Sequence, residues 1–262
     1  MSVAPIEMRL EDGVAWLTLS RPETRNAIGP DLASALLDAA NACADDAKVR
    51  CVVLTASGRF FSVGGDIALF ERAGDDVEEQ VADLARTFHS GVLRLATMAK
   101  PLVTAINGPA AGAGLSLAIL GDIAIAAASA HFTVAYSAIG LTPDGGASWL
   151  LPRLIGLRRA QEMVLTNRRV SADEAAAIGL VTRMVPDETL SAATHEAANM
   201  LAAGPSESLG RCRALLMASA TADFAAQLDA EGTSIALASG GAEGREGISA
   251  FLGKRPPRFH AT

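Results

Sequence analysis

The feature that most constrains the fold is the stretch Pro101–Gly146, which carries two acidic residues and no Lys or Arg. It opens with an apolar run, Leu102–Ile106, which predicts a buried strand. The run breaks at Asn107-Gly108-Pro109, passes through a loop of glycine and alanine, and enters a helical pattern near Leu115. Such a loop brings backbone N–H groups and the positive end of a helix dipole close to a ligand, an arrangement that suits stabilisation of an oxyanion.

Asp144 stands at the end of this stretch, on a Pro-Asp-Gly-Gly sequence, and is the best candidate for the chemistry. The same sequence is typical of a plain β-turn, which is the alternative interpretation. Asp122, in the middle of the stretch, is predicted to be a structural hydrogen-bond acceptor.

A second glycine loop, Gly58–Asp66, follows another apolar run, Cys51–Thr55. Two such loops, each after a buried strand, can present two backbone N–H groups to one carbonyl oxygen.

Composition narrows the class of protein. A chain of 262 residues that is 50% hydrophobic and 19% charged can bury a large core. A net charge of −7 argues against a nucleic-acid surface. The N-terminus has no secretory pattern, and three cysteines without metal-ligand spacing indicate free thiols. A cytoplasmic location is therefore expected.

The uncharged run Pro101–Gly121 is long enough to cross a bilayer, but its prolines and glycines favour a buried strand, turn and helix.

The periodicity predicts strands that alternate with helices, followed by a last third that is helical from about Leu150 onward. This pattern indicates an α/β core in residues 1–200 and a C-terminal helical region in residues 201–262. The predicted strands are Val14–Leu19, Cys51–Thr55, Leu102–Ile106, Ile123–Ala127 and His131–Val134. The predicted helices are Asp31–Ala44 with Asp31 near its N-cap, Val77–Met98, one from Leu115, Ser171–Ile178, Thr189–Ala203, Ser206–Ser219 and Thr221–Ala238.

Two other kinds of site fit the glycine loop poorly. Gly112-Ala113-Gly114 lacks the third glycine of a dinucleotide fingerprint, because Leu117 stands in its place, and no acidic residue follows about twenty positions on. A nucleophilic triad of Ser116, His131 and an aspartate would lack the Gly-x-Ser-x-Gly elbow. A nicotinamide or flavin site and a serine hydrolase are therefore disfavoured.

Motifs spread over almost the whole chain, from about Ile6 to Phe259, resemble the enoyl-CoA hydratase/isomerase (crotonase) family. They are Ser20-Arg21-Pro22 with Arg25-Asn26-Ala27, Phe60–Asp66, Ile106-Asn107-Gly108 with Ala111–Gly114, Gly140–Asp144, Pro152–Gly156, Ala175–Val181 and Phe251–Arg255. The resemblance implies an α/β fold built as a crotonase-type spiral of ββα units, with a C-terminal helical region for trimerisation. It also implies a homotrimer or a dimer of trimers.

The same resemblance implies an acyl-CoA substrate and assigns candidate site residues. The thioester oxygen would sit between the backbone N–H groups of Gly65 and Ala113. Residues expected near the substrate are Arg25, Ala27, Gly64, Asp66, Ile67, Gly112 and Tyr136, together with Lys254 and Phe259 from a neighbouring subunit. No metal and no cofactor is expected, because CoA is part of the substrate, and neither nucleic acid nor membrane is expected as a partner.

One departure from the family decides the expected reaction. Hydratases of the family carry two glutamates, and those positions hold Ser116 and Tyr136 here. Neither side chain readily activates water at neutral pH. Asp144 instead resembles the catalytic aspartate of the isomerase members, such as the phenylacetate-pathway isomerase, with matching spacing from Pro143 to Trp149. One carboxylate is enough to move a double bond from C3 to C2, because it takes the C2 proton and returns it at C4.

Three alternatives remain at this point. The chain is a hydratase with an atypical site, or a dehalogenase in which Asp144 is the nucleophile and His89 the base, or a family member that binds acyl-CoA without catalysis. The small number of aromatic residues, eight Phe, two Trp and one Tyr, argues against the aromatic cradle that a haloaryl substrate requires.

Overall fold

The computed structural model describes residues 4–259 of the chain. In chain order, the strands are β1 Ile6–Glu11, β2 Val14–Leu19, β3 Cys51–Ala56, β4 Leu102–Ile106, β5 Ala110–Ala111, β6 Ile123–Ala127, β7 His131–Thr133, β8 Val170–Ser171 and β9 Arg183–Val185. The helices are α1 Pro30–Asp45, α2 Ile67–Ala73, α3 Val77–Thr97, α4 Ala113–Ala118, α5 Ala147–Ile155, α6 Leu157–Thr166, α7 Ala172–Ile178, α8 Leu190–Ala203, α9 Ser206–Ala218, α10 Phe224–Gly240 and α11 Ala242–Leu252.

Two sheets organise the molecule. The larger has the strand order β1-β2-β3-β4-β6-β9, in which β1 and β2 form an antiparallel hairpin and the other pairs are parallel. The smaller has the order β5-β7-β8. β5 follows β4 after a short turn, so the chain passes from the large sheet into the small one at the glycine and alanine loop. The candidate loops therefore lie where the two sheets meet.

In the central strands β2, β3, β4 and β6 of the large sheet, residues on both faces are buried, which explains the apolar runs that predicted these strands. Side chains alternate along β2, so Ala15, Leu17 and Leu19 join the main core with α1, α3 and α4, while Val14 and Trp16 face the opposite side. That second face is covered by α8. The α1 and α3 helices pack against each other above the main core. This packing fixes the position of α3, one wall of the cavity described below.

The structure corrects several sequence-based boundaries. Strands do occur after Leu150, because β8 and β9 add short segments to the two sheets; two and three residues are too few to show periodicity. Asp31 lies in the first turn of α1 and Gly29 is the N-cap. Helix α4 begins at Ala113, two residues before Leu115. This shift matters, because it places Ala113 itself at the N-terminal end of the helix.

The C-terminal helices are attached to the core through an ion pair between Arg213, which is buried, and Asp122, which is partly exposed. The guanidinium of Arg213 on α9 contacts both carboxylate oxygens of Asp122, at 2.8 and 2.6 Å, and also donates to the carbonyl oxygens of Leu95 and Met98. Asp122 accepts a further bond from Leu102 N at 2.7 Å. The predicted structural role of Asp122 is thus observed.

No helix in the described part of the chain is long and apolar enough to span a membrane.

The division at residue 200 remains a prediction. The two predicted regions, 1–200 and 201–262, include residues 1–3 and 260–262, which lie outside the described residues.

Candidate active site

A cavity of about 370 Å³ lies between the two glycine loops, helix α3 and the segment that carries Asp144. Most of its lining is apolar. The described residues that line it are Ile28, Val63, Gly65, Ile67, Phe70, Val81, Leu84, Ala85, Phe88, Gly112, Ala113, Ala135, Tyr136, Ile139, Leu141, Thr142 and Asp144. Asp144 is the only carboxylate among them. The cavity has the size, the apolar character and the few polar groups expected of a small-molecule site.

The first glycine loop is held rigid by Asn26, which is fully buried. Its side-chain amide donates to the carbonyl oxygens of Ser57 and Phe60, and its Oδ1 accepts from Arg21 N at 2.8 Å. The Ser62 hydroxyl donates to the Asn26 carbonyl oxygen at 2.7 Å. The motif around Asn26, noted in the sequence, therefore acts as a clamp on the loop that presents Gly65.

The second glycine loop packs directly on the first. Ala111 N donates to the Ser62 carbonyl oxygen at 2.9 Å. A Cβ built on Gly64 would lie 2.8 Å from the Ala111 carbonyl oxygen and 3.2 Å from Ala113 N, so only glycine permits this approach. Within the described part of the chain, the backbone N–H groups of Gly65 and Ala113 have no hydrogen-bond partner, and both residues line the cavity. Unpaired backbone donors at the wall of a cavity are free to bind a ligand oxygen.

Asp144 is positioned by its own turn. Gly145 and Gly146 both have a left-handed backbone, with φ of 59° and 89°. The buried Ser116 hydroxyl donates to the Asp144 carbonyl oxygen at 2.8 Å. The β-turn interpretation and the catalytic one are therefore compatible, since the turn aims the carboxylate at the cavity. Ser116 is occupied by this bond, and the structure brings neither its hydroxyl to His131 nor His131 to the cavity lining.

Among residues 4–259, two side chains contact the carboxylate of Asp144. The Tyr136 hydroxyl donates a hydrogen bond to Oδ1, and Nε2 of His89 lies 3.1 Å from Oδ2. Burial, followed by the charge of the Asp144 carboxylate, raises the pKa of Tyr136 well above its ordinary value. Tyr136 is thus a neutral phenol that donates its proton to Asp144. Nε2 of His89 also lies 3.1 Å from Gly145 N, so His89 contacts both the carboxylate and the next residue's backbone.

Sequence reasoning gave His89 a role only in the dehalogenase alternative, and it missed Phe70 and Phe88 as site residues. Phe88 is buried beside His89 on α3, and a Cβ built on Gly65 would lie 3.3 Å from Cζ of Phe70. The available signal was the apolar spacing of α3, which places Val81, Leu84 and Phe88 on one face. Aromatic residues are few in the chain, but three of them line this cavity, so their small number does not by itself argue against an aromatic lining.

The other predicted substrate-binding residues are divided between two places. Ile67, Gly112 and Tyr136 line the cavity, with Gly64 beside them at the loop contact. Asp66 accepts from Leu69 N at 3.3 Å and caps α2. The guanidinium of Arg25 lies 5.5 Å from the centroid of the Phe60 ring. None of Arg25, Ala27 or Asp66 lines the cavity among the described residues.

Lys254 and Phe259 lie outside the cavity of their own chain. Lys254 is exposed after α11, and Phe259 faces Gly247 of that helix. Their predicted role depended on a neighbouring subunit, and it stays a prediction.

The family model for enoyl-CoA hydratase/isomerase matches residues 9–262. The chain belongs to this family. Its predicted crotonase-type α/β fold is confirmed by a crystal structure of an enoyl-CoA hydratase from Polaromonas sp. JS666, with a TM-score of 0.92, 34% identity and coverage of 97% of this chain and 98% of that one.

Two relatives carry the names of other reactions. A 1,2-epoxyphenylacetyl-CoA isomerase of Escherichia coli (strain K12) is 39% identical over 254 residues, 95% of this chain and 96% of that protein. A 4-chlorobenzoyl coenzyme A dehalogenase-2 of Arthrobacter sp. is 35% identical over 206 residues, 78% of this chain and 75% of that protein. Relatives thus include a hydratase, an isomerase and a dehalogenase, and the choice among these reactions depends on the residues of the site.

Proposed function

We propose that this enzyme is an enoyl-CoA isomerase that moves a double bond from C3 to C2 of an acyl-CoA thioester. The observation that carries the proposal is that Asp144 is the only carboxylate among the described residues lining the cavity. Hydration needs a second group to activate water. The residues at the two family glutamate positions do not supply it, because Ser116 is bound to the Asp144 backbone and Tyr136 is held as a neutral donor.

The mechanism follows from the positions of these groups. The thioester oxygen binds to the backbone N–H groups of Gly65 and Ala113, which acidifies the protons on C2. Asp144 takes one C2 proton, and the electron pair of the broken C–H bond forms a dienolate whose negative charge rests on that oxygen. The double bond then lies between C2 and C3 once Asp144 has returned a proton to C4. The mostly apolar lining of the cavity strengthens the hydrogen bonds to the dienolate oxygen.

The reaction uses no cofactor, because CoA is part of the substrate. A homotrimer or dimer of trimers stays a prediction. It is supported by large apolar side chains that are exposed on the C-terminal helices of the isolated chain, among them Phe224, Ile235 and Phe251, which are 79%, 71% and 83% exposed.

The test is the turnover of a 3-enoyl-CoA by the enzyme and by Asp144→Asn. This variant keeps the shape of the side chain and removes its basicity, so turnover should fall by about 10²–10⁴-fold, the usual contribution of a general base. Affinity for acyl-CoA should persist. Asp173→Asn, at an exposed aspartate on α7, is the matched control and should retain turnover. Full turnover by Asp144→Asn would contradict the proposal, and binding without turnover by the wild type would indicate a non-catalytic family member.

A second candidate is hydrolytic dehalogenation of a haloaryl-CoA, which is favoured by the 3.1 Å contact of His89 with Asp144 and by the aromatic lining. There, Asp144 would displace halide from the ring and form an aryl ester, and His89 would activate the water that hydrolyses it. Release of chloride from 4-chlorobenzoyl-CoA would identify this reaction. Hydration of crotonyl-CoA, measured in the same series, would identify the atypical hydratase.

A further inference from the structure

The two oxygens of the Asp144 carboxylate have different surroundings. Oδ1 accepts the hydroxyl of Tyr136, and this phenol stays protonated. Oδ2 has Nε2 of His89 as its neighbour, at 3.1 Å. Since Oδ1 already accepts a strong donor, Oδ2 is the oxygen that is available to take a proton from the substrate.

The second contact of His89 restricts where its ring proton lies. Gly145 N lies 3.1 Å from Nε2 with its hydrogen directed at that atom, and a backbone N–H can only donate. Nε2 therefore offers a lone pair, and the neutral ring carries its proton on Nδ1. Once Oδ2 carries a proton, it can donate that proton to the same Nε2 lone pair at 3.1 Å, in competition with the Gly145 N–H. The pair is arranged to hold one proton, as it would after Asp144 has accepted one from C2.

His89 also connects this pair with the outside of the molecule. Its side chain is 46% exposed, whereas that of Asp144 is 33% exposed and lines the cavity. Among residues 4–259, no group is hydrogen-bonded to Nδ1. One edge of the imidazole thus faces the carboxylate, while much of the ring is open to solvent.

We propose that His89 relays protons between Oδ2 of Asp144 and solvent during the isomerisation, so that the proton delivered to C4 is largely a solvent proton. This inference rests on the proposed isomerase function. His89 acts through Asp144, and no contact between His89 and the substrate is implied.

The relay balances as two reversible transfers. After the C2–H bond breaks, the proton on Oδ2 passes to Nε2, which gives up its hydrogen bond from Gly145 N and becomes part of an imidazolium. The imidazolium then releases its Nδ1 proton to water. The reverse path takes a proton from water onto Nδ1 and returns the Nε2 proton to Oδ2, from which C4 is protonated. The net reaction is unchanged, and one substrate proton is exchanged for one solvent proton.

The decisive measurement is the deuterium content of the product formed in D₂O from an unlabelled 3-enoyl-CoA, read at low conversion. With the wild type, most 2-enoyl-CoA molecules should carry one deuterium at C4. His89→Gln keeps a polar side chain but cannot relay a proton, so most of its product should be unlabelled. Its turnover should fall by less than about tenfold, below the 10²–10⁴-fold that a general acid or base contributes.

His195→Gln is the matched control, because that histidine stacks on Trp16 at 4.1 Å, on the other face of the large sheet. Its product should be labelled like that of the wild type. A role of His89 confined to holding the Gly145 backbone would alter the rate and leave the label unchanged.

Three results would overturn the relay. Equal labelling by His89→Gln and the wild type would show that Asp144 exchanges without His89. Unlabelled wild-type product would show that the proton stays within the site, and the isomerase function would stand. A wild type with no isomerisation would remove the proposed function and the relay together. If His89→Gln does not fold, His89→Asn takes its place, and a C2-deuterated substrate that the wild type converts in H₂O with its deuterium kept at C4 would overturn the relay as well.

Discussion

Replacement of Gly145 by alanine tests how the Asp144 turn is held. Gly145 has φ of 59°, and a Cβ built on it would lie 2.7 Å from Cε1 of Phe88 and 2.9 Å from Cβ of Ser116. Carbon atoms in favourable contact lie about 3.5–4.0 Å apart. Both neighbours are buried, at 1% and 0% exposure, so neither can move aside without disturbing the core.

Gly146 provides a matched control in the adjacent position. Its φ is 89°, but a Cβ built there would meet only Cδ1 of Leu150, at the ordinary distance of 3.8 Å. Gly146→Ala should therefore cost only the left-handed backbone, about 1–2 kcal/mol of unfolding free energy. Gly145→Ala should lose a further 1–3 kcal/mol, roughly the usual cost of overpacking a core.

The same clash should reduce activity. Phe88 lines the cavity and Ser116 holds the Asp144 carbonyl oxygen, so a shift of either displaces the carboxylate. A misplacement of about 1 Å can cost roughly 10²-fold in rate. Gly145→Ala should therefore lose much more turnover of a 3-enoyl-CoA than Gly146→Ala does.

Urea unfolding of both variants at one protein concentration gives the stabilities, and initial rates give the activities. Equal losses of unfolding free energy in the two variants would contradict this prediction, because they would show that the turn is not packed against Phe88 and Ser116.

Tyr136 is the only tyrosine in the chain, so an alkaline titration followed by near-ultraviolet absorbance reports on it alone. Because its pKa is raised, the folded protein should show no tyrosinate where a free tyrosine, with a pKa of about 10, is ionised. The contribution of the protonated Tyr136 to the unfolding free energy is complete below about pH 10 and is lost as the pH rises above the pKa of Tyr136 in the folded protein. Formation of tyrosinate near pH 10 in the folded protein would contradict the contact between Tyr136 and Asp144. Arg213→Met should cost about 1–3 kcal/mol, mainly because the buried carbonyl oxygens of Leu95 and Met98 lose their donor, while the Asp122 side chain is 36% exposed. Urea unfolding measures it, and a loss under about 1 kcal/mol would show that the ion pair does not secure the C-terminal helices.

Much of the α/β core was predictable because its signals are local. The apolar runs of β2, β4 and β6 have the predicted bounds, since strands buried on both faces are marked by continuous hydrophobic sequence. The short strands β8 and β9 were not predictable, because they are held by pairing with strands that are distant in the sequence. Helix α4 also began earlier than its apolar pattern, since its first turn is glycine and alanine.

For the site, the sequence pointed to one aspartate on a glycine turn and to two glycine loops that follow buried strands. Its resemblance to the family predicted that Ser116 and Tyr136 stand where hydratases carry glutamates. The contact of His89 with Asp144, 55 positions away, and the hydrogen bond from Tyr136 to the other carboxylate oxygen depend on how distant parts of the chain pack together. The spacing of apolar residues predicts which face of α3 is buried. It does not predict which loop contacts His89 on that helix, because this depends on how α3 packs against α1 and the sheet.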